Sequence, residues 1–153
     1  MYLNQEIKEL KAFLKQEDKQ VNAVSEKGIH WHIDHSLRVI SGICSKLKHS
    51  DPNAYKPKFN VLKLGIMTTA IIPRGKAKAP KKVLPPEDFD STEIQELFSK
   101  VEHQLKSIEK LDKNHFYSHH IFGDLNLKKS VKFMGIHTHH HLKIMEDIRK
   151  KNS

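Results

Sequence analysis

Apolar residues recur at helical spacing in four segments of this chain, and no segment shows the strict alternation typical of a half-buried strand. The predicted helices cover about residues 3–19, 25–48, 91–111 and 126–150. The predicted caps at the starts of the last three are Ser25, Ser91 or Thr92, and Asn126. Because each helix carries one apolar stripe, the stripes are buried by packing helix against helix. The sequence therefore predicts an all-α four-helix bundle that forms a single domain over residues 1–153.

A long crossover over residues 50–90 joins the second and third predicted helices and contains all six prolines. Residues 59–72 within it could form one short helix packed over the bundle. They are the longest apolar stretch, but with 14 residues and Lys63 among them the stretch is too short to span a bilayer. We therefore expect no membrane partner.

The net charge of +9 comes almost entirely from residues 53–85 of this crossover. Between Pro52 and Pro86 there is no acidic residue and there are eight basic ones, which leaves 9 − 8 = +1 for the rest of the chain. The densest part is the basic loop, residues 74–82, which we expect to be exposed and dispensable for folding. Binding to a phosphate backbone is the alternative, but no aromatic residue is interleaved to stack on bases, so a nucleic-acid partner is not expected.

The single cysteine excludes an internal disulfide framework and suits a reducing compartment. Cys44 falls among the apolar residues of a helical pattern, which favours a small core residue over a nucleophile. The first residues lack the apolar run of a signal peptide. These features predict a cytoplasmic protein.

Four histidines occupy five positions in residues 137–141, and they raise three alternatives: a solvated histidine-rich face, core histidines with hydrogen-bond partners, or a metal site. At 100° per residue, His137 and His141 lie on the apolar face of the last helix, one turn apart. His139 points to solvent and His140 lies on a flank.

The second helix offers a third histidine for the same site. His32 lies about 70° from the core direction of that helix, whereas His30 lies about 90° and His35 about 130° away. His32, His137 and His141 could therefore direct three nitrogens at one divalent metal ion and leave coordination positions open, which is the arrangement of a catalytic site. Partnered core histidines remain the alternative.

Three stretches of the chain form recognisable motifs: "HIDHSLRVISG" at 32–42, "HHIFGDLN" at 119–126 and "HTHHHLK" at 137–143. Together they resemble the DinB-like (YfiT-type) superfamily of metal-dependent helical bundles, in a branch without an assigned reaction. The residues in register are His32, Leu37, Arg38, Gly42, His119, Gly123, His137, His140 and His141. The branch usually has an acid where this chain has His35, so a second-shell or proton-transfer role at that position is open.

The resemblance implies an up-down-down-up bundle, often a homodimer, with zinc or nickel bound at the positions of His32, His137 and His141. It also implies thiol-dependent transfer or isomerisation with low-molecular-weight thiols such as bacillithiol or mycothiol. His140, His35 and His119 would lie in the second shell, although His119 could instead cap a helix.

The leading hypothesis is therefore a metal-dependent enzyme of the hydrolase or thiol-transferase type, in which the metal activates water or a thiol toward a small-molecule substrate. The nearest carboxylates, Asp34, Glu146 and Asp147, face away from the site by helical phase, so no general base is assigned. The alternatives are a non-enzymatic helical bundle that binds a metal or nucleic acid, and a bundle with no metal at all.

Overall fold

The computed structural model describes residues 3–75, 78–88 and 90–151. Within these residues the chain forms five α-helices and one two-stranded antiparallel hairpin. The helices are α1 (Asn4–Leu14), α2 (Ile29–His49), α3 (Val61–Thr69), α4 (Ser91–Ile108) and α5 (Leu127–Lys151). The strands are β1 (Phe116–His119) and β2 (Gly123–Asn126), and short 3-10 helices lie at Pro52–Ala54 and Lys81–Val83. The predicted helical class is confirmed.

The core is built around α2, which packs against α1, α4 and α5. Its apolar residues are buried together with those of its neighbours, such as Leu10 of α1, Ile94 of α4 and Met145 of α5. The crossover returns over α2 through the 3-10 helix at Lys81–Val83, and α3 packs against α5. None of the helices that the structure describes could cross a membrane, because none combines sufficient length with sufficient apolarity.

The start of α2 differs from the prediction. Ser25 does not cap the helix; the N-cap is Gly28, which provides no side-chain hydrogen bond. Instead the carboxylate of Asp18 accepts a hydrogen bond from the backbone N–H of His30 at 2.9 Å. A Cβ atom on Gly28 would lie 2.6 Å from Asp18 Oδ1, so the absence of a side chain at Gly28 allows this approach. The segment before α2 is folded back for this contact, and α1 consequently ends at Leu14 rather than near residue 19.

Two further caps test the predicted helix starts. Asp90, rather than Ser91 or Thr92, caps α4, because its carboxylate accepts from the backbone N–H of Glu93. Asn126 was correctly predicted for α5: its Oδ1 accepts from the backbone N–H of Lys129 at 3.0 Å.

The hairpin was not predicted. Its strands pair in register from Phe116 with Asn126 to His119 with Gly123, and Gly123 has the positive φ of 70° that the three-residue turn needs. With four residues each, "FYSH" and "GDLN" are too short to show alternation. The hairpin nevertheless contributes Leu125 to the core, and it leads directly into α5.

Candidate metal centre

Three histidines from two helices form a compact cluster. His35 comes from α2, and His137 and His141 come from α5, one turn apart. One ring nitrogen from each lies within 4.8 Å of those of the other two. Nitrogens bound to one tetrahedral zinc ion lie about 3.3 Å apart, so small side-chain rotations would bring the three onto a common ion.

The α5 side of this cluster follows the predicted helix phase. His141 is buried, and the Nδ1 atom of His137 is buried although part of that residue's surface is exposed. His139 is exposed and His140 is half-buried, as predicted for a solvent-facing and a flanking position. The inward pair His137 and His141 is therefore confirmed.

The α2 side differs from the phase argument. His35, predicted to point about 130° away from the core direction, is only 2% exposed. Helix phase places His35 outside only if α2 buries a single face, whereas every residue from 32 to 37 is buried. The outer side of α2 is covered by the crossover, where His35 Nδ1 donates a hydrogen bond to the carbonyl oxygen of Val83 at 2.7 Å. This bond leaves His35 Nε2 free to bind a metal, which is the usual arrangement of a ligand histidine.

His32, predicted as the third ligand, lies beside the cluster. Its Nδ1 is 2.9 Å from Nδ1 of His141, and its Nε2 is 3.0 Å from Oγ of Ser25. If His141 donates from Nδ1, its Nε2 carries the lone pair that a metal requires, and His32 then donates from Nε2 to Ser25. In this arrangement both nitrogens of His32 are engaged in hydrogen bonds, and the residue orients His141.

The electrostatic environment keeps the cluster neutral. Burial, and then the neighbouring histidines, hold the pKa values of His137 and His141 well below the ordinary value of 6.5. Burial also lowers the pKa of His35, although its hydrogen bond to Val83 opposes the shift. Burial lowers the pKa of His32 to about 3. Because a metal binds the neutral imidazole, all four rings are in the form that can bind one near neutral pH.

A buried nitrogen without a partner supports the fit of a cation. His137 Nδ1 is buried and makes no hydrogen bond with the described residues. Leaving such a group unsatisfied costs about 1–3 kcal/mol, so it calls for an explanation. A cation held by the cluster would provide one, since His137 already lies among the candidate ligands. Three imidazole nitrogens are a donor set that suits zinc and nickel.

The crossover covers the cluster at two points. Val83 accepts from His35, and the backbone of Ile72 hydrogen-bonds His140, whose pKa is lowered by burial and by the nearby Arg74. The basic loop lies between these two contacts. Its described residues are exposed apart from the half-buried Ala79, which confirms that part of the prediction; Lys76 and Ala77 lie outside the described residues.

His119 has a different role from the cluster. Its Nδ1 accepts hydrogen bonds from the backbone N–H groups of Ile121 and Phe122, at 3.0 and 3.2 Å. Its ring stacks on Phe122 and meets Phe133 edge-on, with centroids 4.2 and 5.0 Å away. His119 thus caps the hairpin turn, whereas the predicted roles were a second-shell position or a helix cap.

The remaining reactive groups are engaged elsewhere. Asp34 is fully buried and paired with Arg38, and Asp147 pairs with Arg74. Burial raises the pKa of the Cys44 thiol to about 12, which confirms its prediction as a core residue.

Comparisons of the chain with models of protein families, with curated proteins and with solved structures give no match. The assignment of the cluster therefore rests on its own geometry.

Proposed function

We propose that this protein binds one divalent metal ion through His35, His137 and His141 and uses it in an enzymatic reaction on a small molecule. The observation that carries the proposal is the convergence of three neutral imidazoles, one of which has a buried nitrogen without a partner among the described residues. A structural zinc site normally uses four protein ligands, whereas three protein ligands with open positions are typical of catalytic sites.

A divalent ion with open positions, once bound, supplies Lewis acidity that lowers the pKa of a coordinated water or thiol toward neutrality. The protein would position the ligands for this. Val83 fixes the ring of His35, and the Ser25–His32 pair fixes the ring of His141. The indole of Trp31 stacks on His35 at 4.9 Å and shields one side of that ring from water. No general base is assigned.

The resemblance to the DinB-like superfamily supports the same proposal. On that reading α1, α2, α4 and α5 form the four-helix bundle and α3 belongs to the crossover. The superfamily implies zinc or nickel, a low-molecular-weight thiol as co-substrate, a homodimer and a cytoplasmic location. The α2 ligand of the family falls on His32, whereas the present geometry favours His35, and substitution distinguishes the two.

Elemental analysis of the untagged protein, purified without chelator, tests metal binding directly. We expect one zinc or nickel ion per chain. His35→Ala, His137→Ala and His141→Ala should each lose stoichiometric metal, whereas His139→Ala, an exposed position on the same helix, should retain it. A native protein that carries no metal and binds neither added zinc nor nickel at micromolar concentration would refute the proposal.

The reaction type requires a second measurement. Protein loaded with cobalt(II) should change its visible absorption when a low-molecular-weight thiol such as cysteine is added, because a thiolate that enters the open position alters the ligand field. An unchanged spectrum in a protein that does bind cobalt would exclude the thiol-transferase type and leave metal binding itself intact.

A further inference from the structure

The first half of the short helix α3 has its polarity reversed, whereas Ile66 in its second half is buried. Lys63 is buried, and its ammonium group donates to the carbonyl oxygen of Lys58 at 2.5 Å. In contrast Val61, Leu62 and Leu64 are 72%, 50% and 56% exposed. At 100° per residue these three surround the side of the helix opposite Lys63. One side of α3 packs on the domain through Ile66, but the three aliphatic side chains that it presents to solvent have no part in that packing.

The neighbouring residues extend this surface. Phe59, two residues before the helix, is 83% exposed. We call Phe59, Val61, Leu62 and Leu64 the α3 patch. Of the seven large apolar residues that are exposed in the described part of the chain, six lie between 59 and 84. Concentrated exposed apolar surface usually marks an interaction site.

The same segment carries the excess positive charge of the protein. No acidic residue occurs from 53 to 85, and the patch is immediately preceded by the exposed Lys56 and Lys58. Further along, Arg74, Lys78, Lys81 and Lys82 are also exposed. Exposed apolar side chains and an excess of basic residues therefore occur together in one segment, in which Arg74 is paired with Asp147 and the backbone N–H of Lys56 donates to Asp124.

We propose that the α3 patch docks on the surface of a membrane rich in anionic lipid. The expectation of no membrane partner rested on the lack of a stretch long enough to span a bilayer, and docking on the surface does not need one. Apolar side chains beside lysines match the boundary between acyl chains and phosphate headgroups, where an interfacial helix lies in the membrane plane without spanning it. A second copy of the chain is disfavoured because it would bring two acid-free, basic segments together. Nucleic acid would use the lysines but leave the aliphatic side chains without a contact.

Vesicle sedimentation tests this inference with the full chain. We expect the protein to sediment with vesicles of phosphatidylglycerol and phosphatidylcholine in equal amounts, to remain in solution with pure phosphatidylcholine, and to lose binding as salt is added. Each lysine near an anionic surface strengthens partitioning about fivefold, so Lys56→Gln/Lys58→Gln should weaken it about thirtyfold. Lys100→Gln/Lys106→Gln removes the same charge from the exposed face of α4 and should have much less effect.

The apolar part of the proposal is tested separately. Val61→Ser/Leu64→Ser should abolish sedimentation while leaving the circular dichroism spectrum unchanged, because both residues are exposed. In Phe59→Trp, the new indole should shift its emission to shorter wavelength on vesicles and be quenched by brominated lipid. The native Trp31, which stacks on His35, should respond to neither.

Three results would overturn the proposal. One is sedimentation that is unaffected by Val61→Ser/Leu64→Ser or equally strong on neutral vesicles. Another is a wild-type dimer that dissociates in the same double variant, which would assign the patch to a second copy. The third is salt-sensitive binding to duplex DNA without vesicle binding, which would assign the lysines to nucleic acid.

Discussion

His119 should make the stability of this protein sensitive to mild acid. Its Nδ1 accepts two backbone hydrogen bonds in the hairpin turn, and its ring lies against Phe122 and Phe133. Protonation of Nδ1 would remove the acceptor and place a charge between two aromatic rings. Burial, and then the nearby His120, accordingly lower the pKa of His119 from 6.5 to about 4.

The size of the effect follows from the difference between the folded and unfolded pKa values. As pH falls below 6.5 the unfolded chain takes up a proton at His119, whereas the folded protein does so only near 4. The contribution of the neutral His119 ring to the free energy of unfolding is therefore complete above pH 6.5 and is lost as the pH falls toward 4. At about pH 5 the loss from this one residue amounts to about 2 kcal/mol in the free energy of unfolding.

Urea unfolding of wild type and His119→Asn, each measured near pH 7.5 and near pH 5 with chelator present, isolates this contribution. The asparagine Oδ1 can accept the same backbone hydrogen bonds but does not titrate. The loss of ring stacking affects both pH values alike, and the other buried histidines titrate in both proteins. The wild type should therefore lose about 2 kcal/mol more than the variant between the two pH values.

Equal losses in the two proteins would refute this reasoning, because His119 would then titrate alike in the folded and unfolded states. A direct check is the chemical shift of the His119 ring during a pH titration. A midpoint near 6.5 would contradict the assigned capping role.

Three further predictions concern the site and the core. His32→Asn should lower metal affinity about 10- to 100-fold while keeping one ion per chain, because His32 orients His141 without binding the metal itself. Competition with a chelating dye measures the affinity, and complete loss of metal would show that His32 is a ligand. Gly28→Ala should destabilise the protein by about 1–3 kcal/mol by displacing Asp18, so the same substitution should cost less in an Asp18→Ala background. Cys44 should not react with a disulfide reagent in native protein but should react in urea, since its thiol is buried with a pKa of about 12.

The sequence predicted the features that depend on local periodicity. The phase of α5 separated the inward His137 and His141 from the exposed His139, because the solvent-facing positions of this part of the helix, 139, 143, 146 and 147, recur about one turn apart. The same calculation misplaced His35, because α2 has neighbours on several sides and its buried surface is not a stripe. Nothing in the spacing of the apolar residues of α2 shows that the crossover returns over its outer side.

Contacts between residues that are distant in sequence explain the other differences between the predicted and the observed structure. The backbone N–H of His30 is satisfied by Asp18, twelve positions earlier, and a cap so distant in sequence cannot be recognised from the residues next to the helix, which favour Ser25. The basic composition of the crossover was evident from the sequence, whereas the exposure of Val61 and Leu64 was not. The short helix packed over the bundle is confirmed as α3, which packs against α5; which of its residues face solvent depends on the orientation of Lys63, and the sequence does not show that orientation.

The unbroken burial of residues 32–37 in α2 has a consequence for how this protein tolerates mutation. In a helix at the surface, the positions that tolerate substitution recur with the helical period. In α2, by contrast, most substitutions at six consecutive positions should be destabilising because of packing alone. If His32 or His35 were invariant among homologues, the invariance could reflect either metal binding or close packing. His137 retains some exposed surface, so strict retention of its imidazole would be the more informative evidence of selection for chemistry.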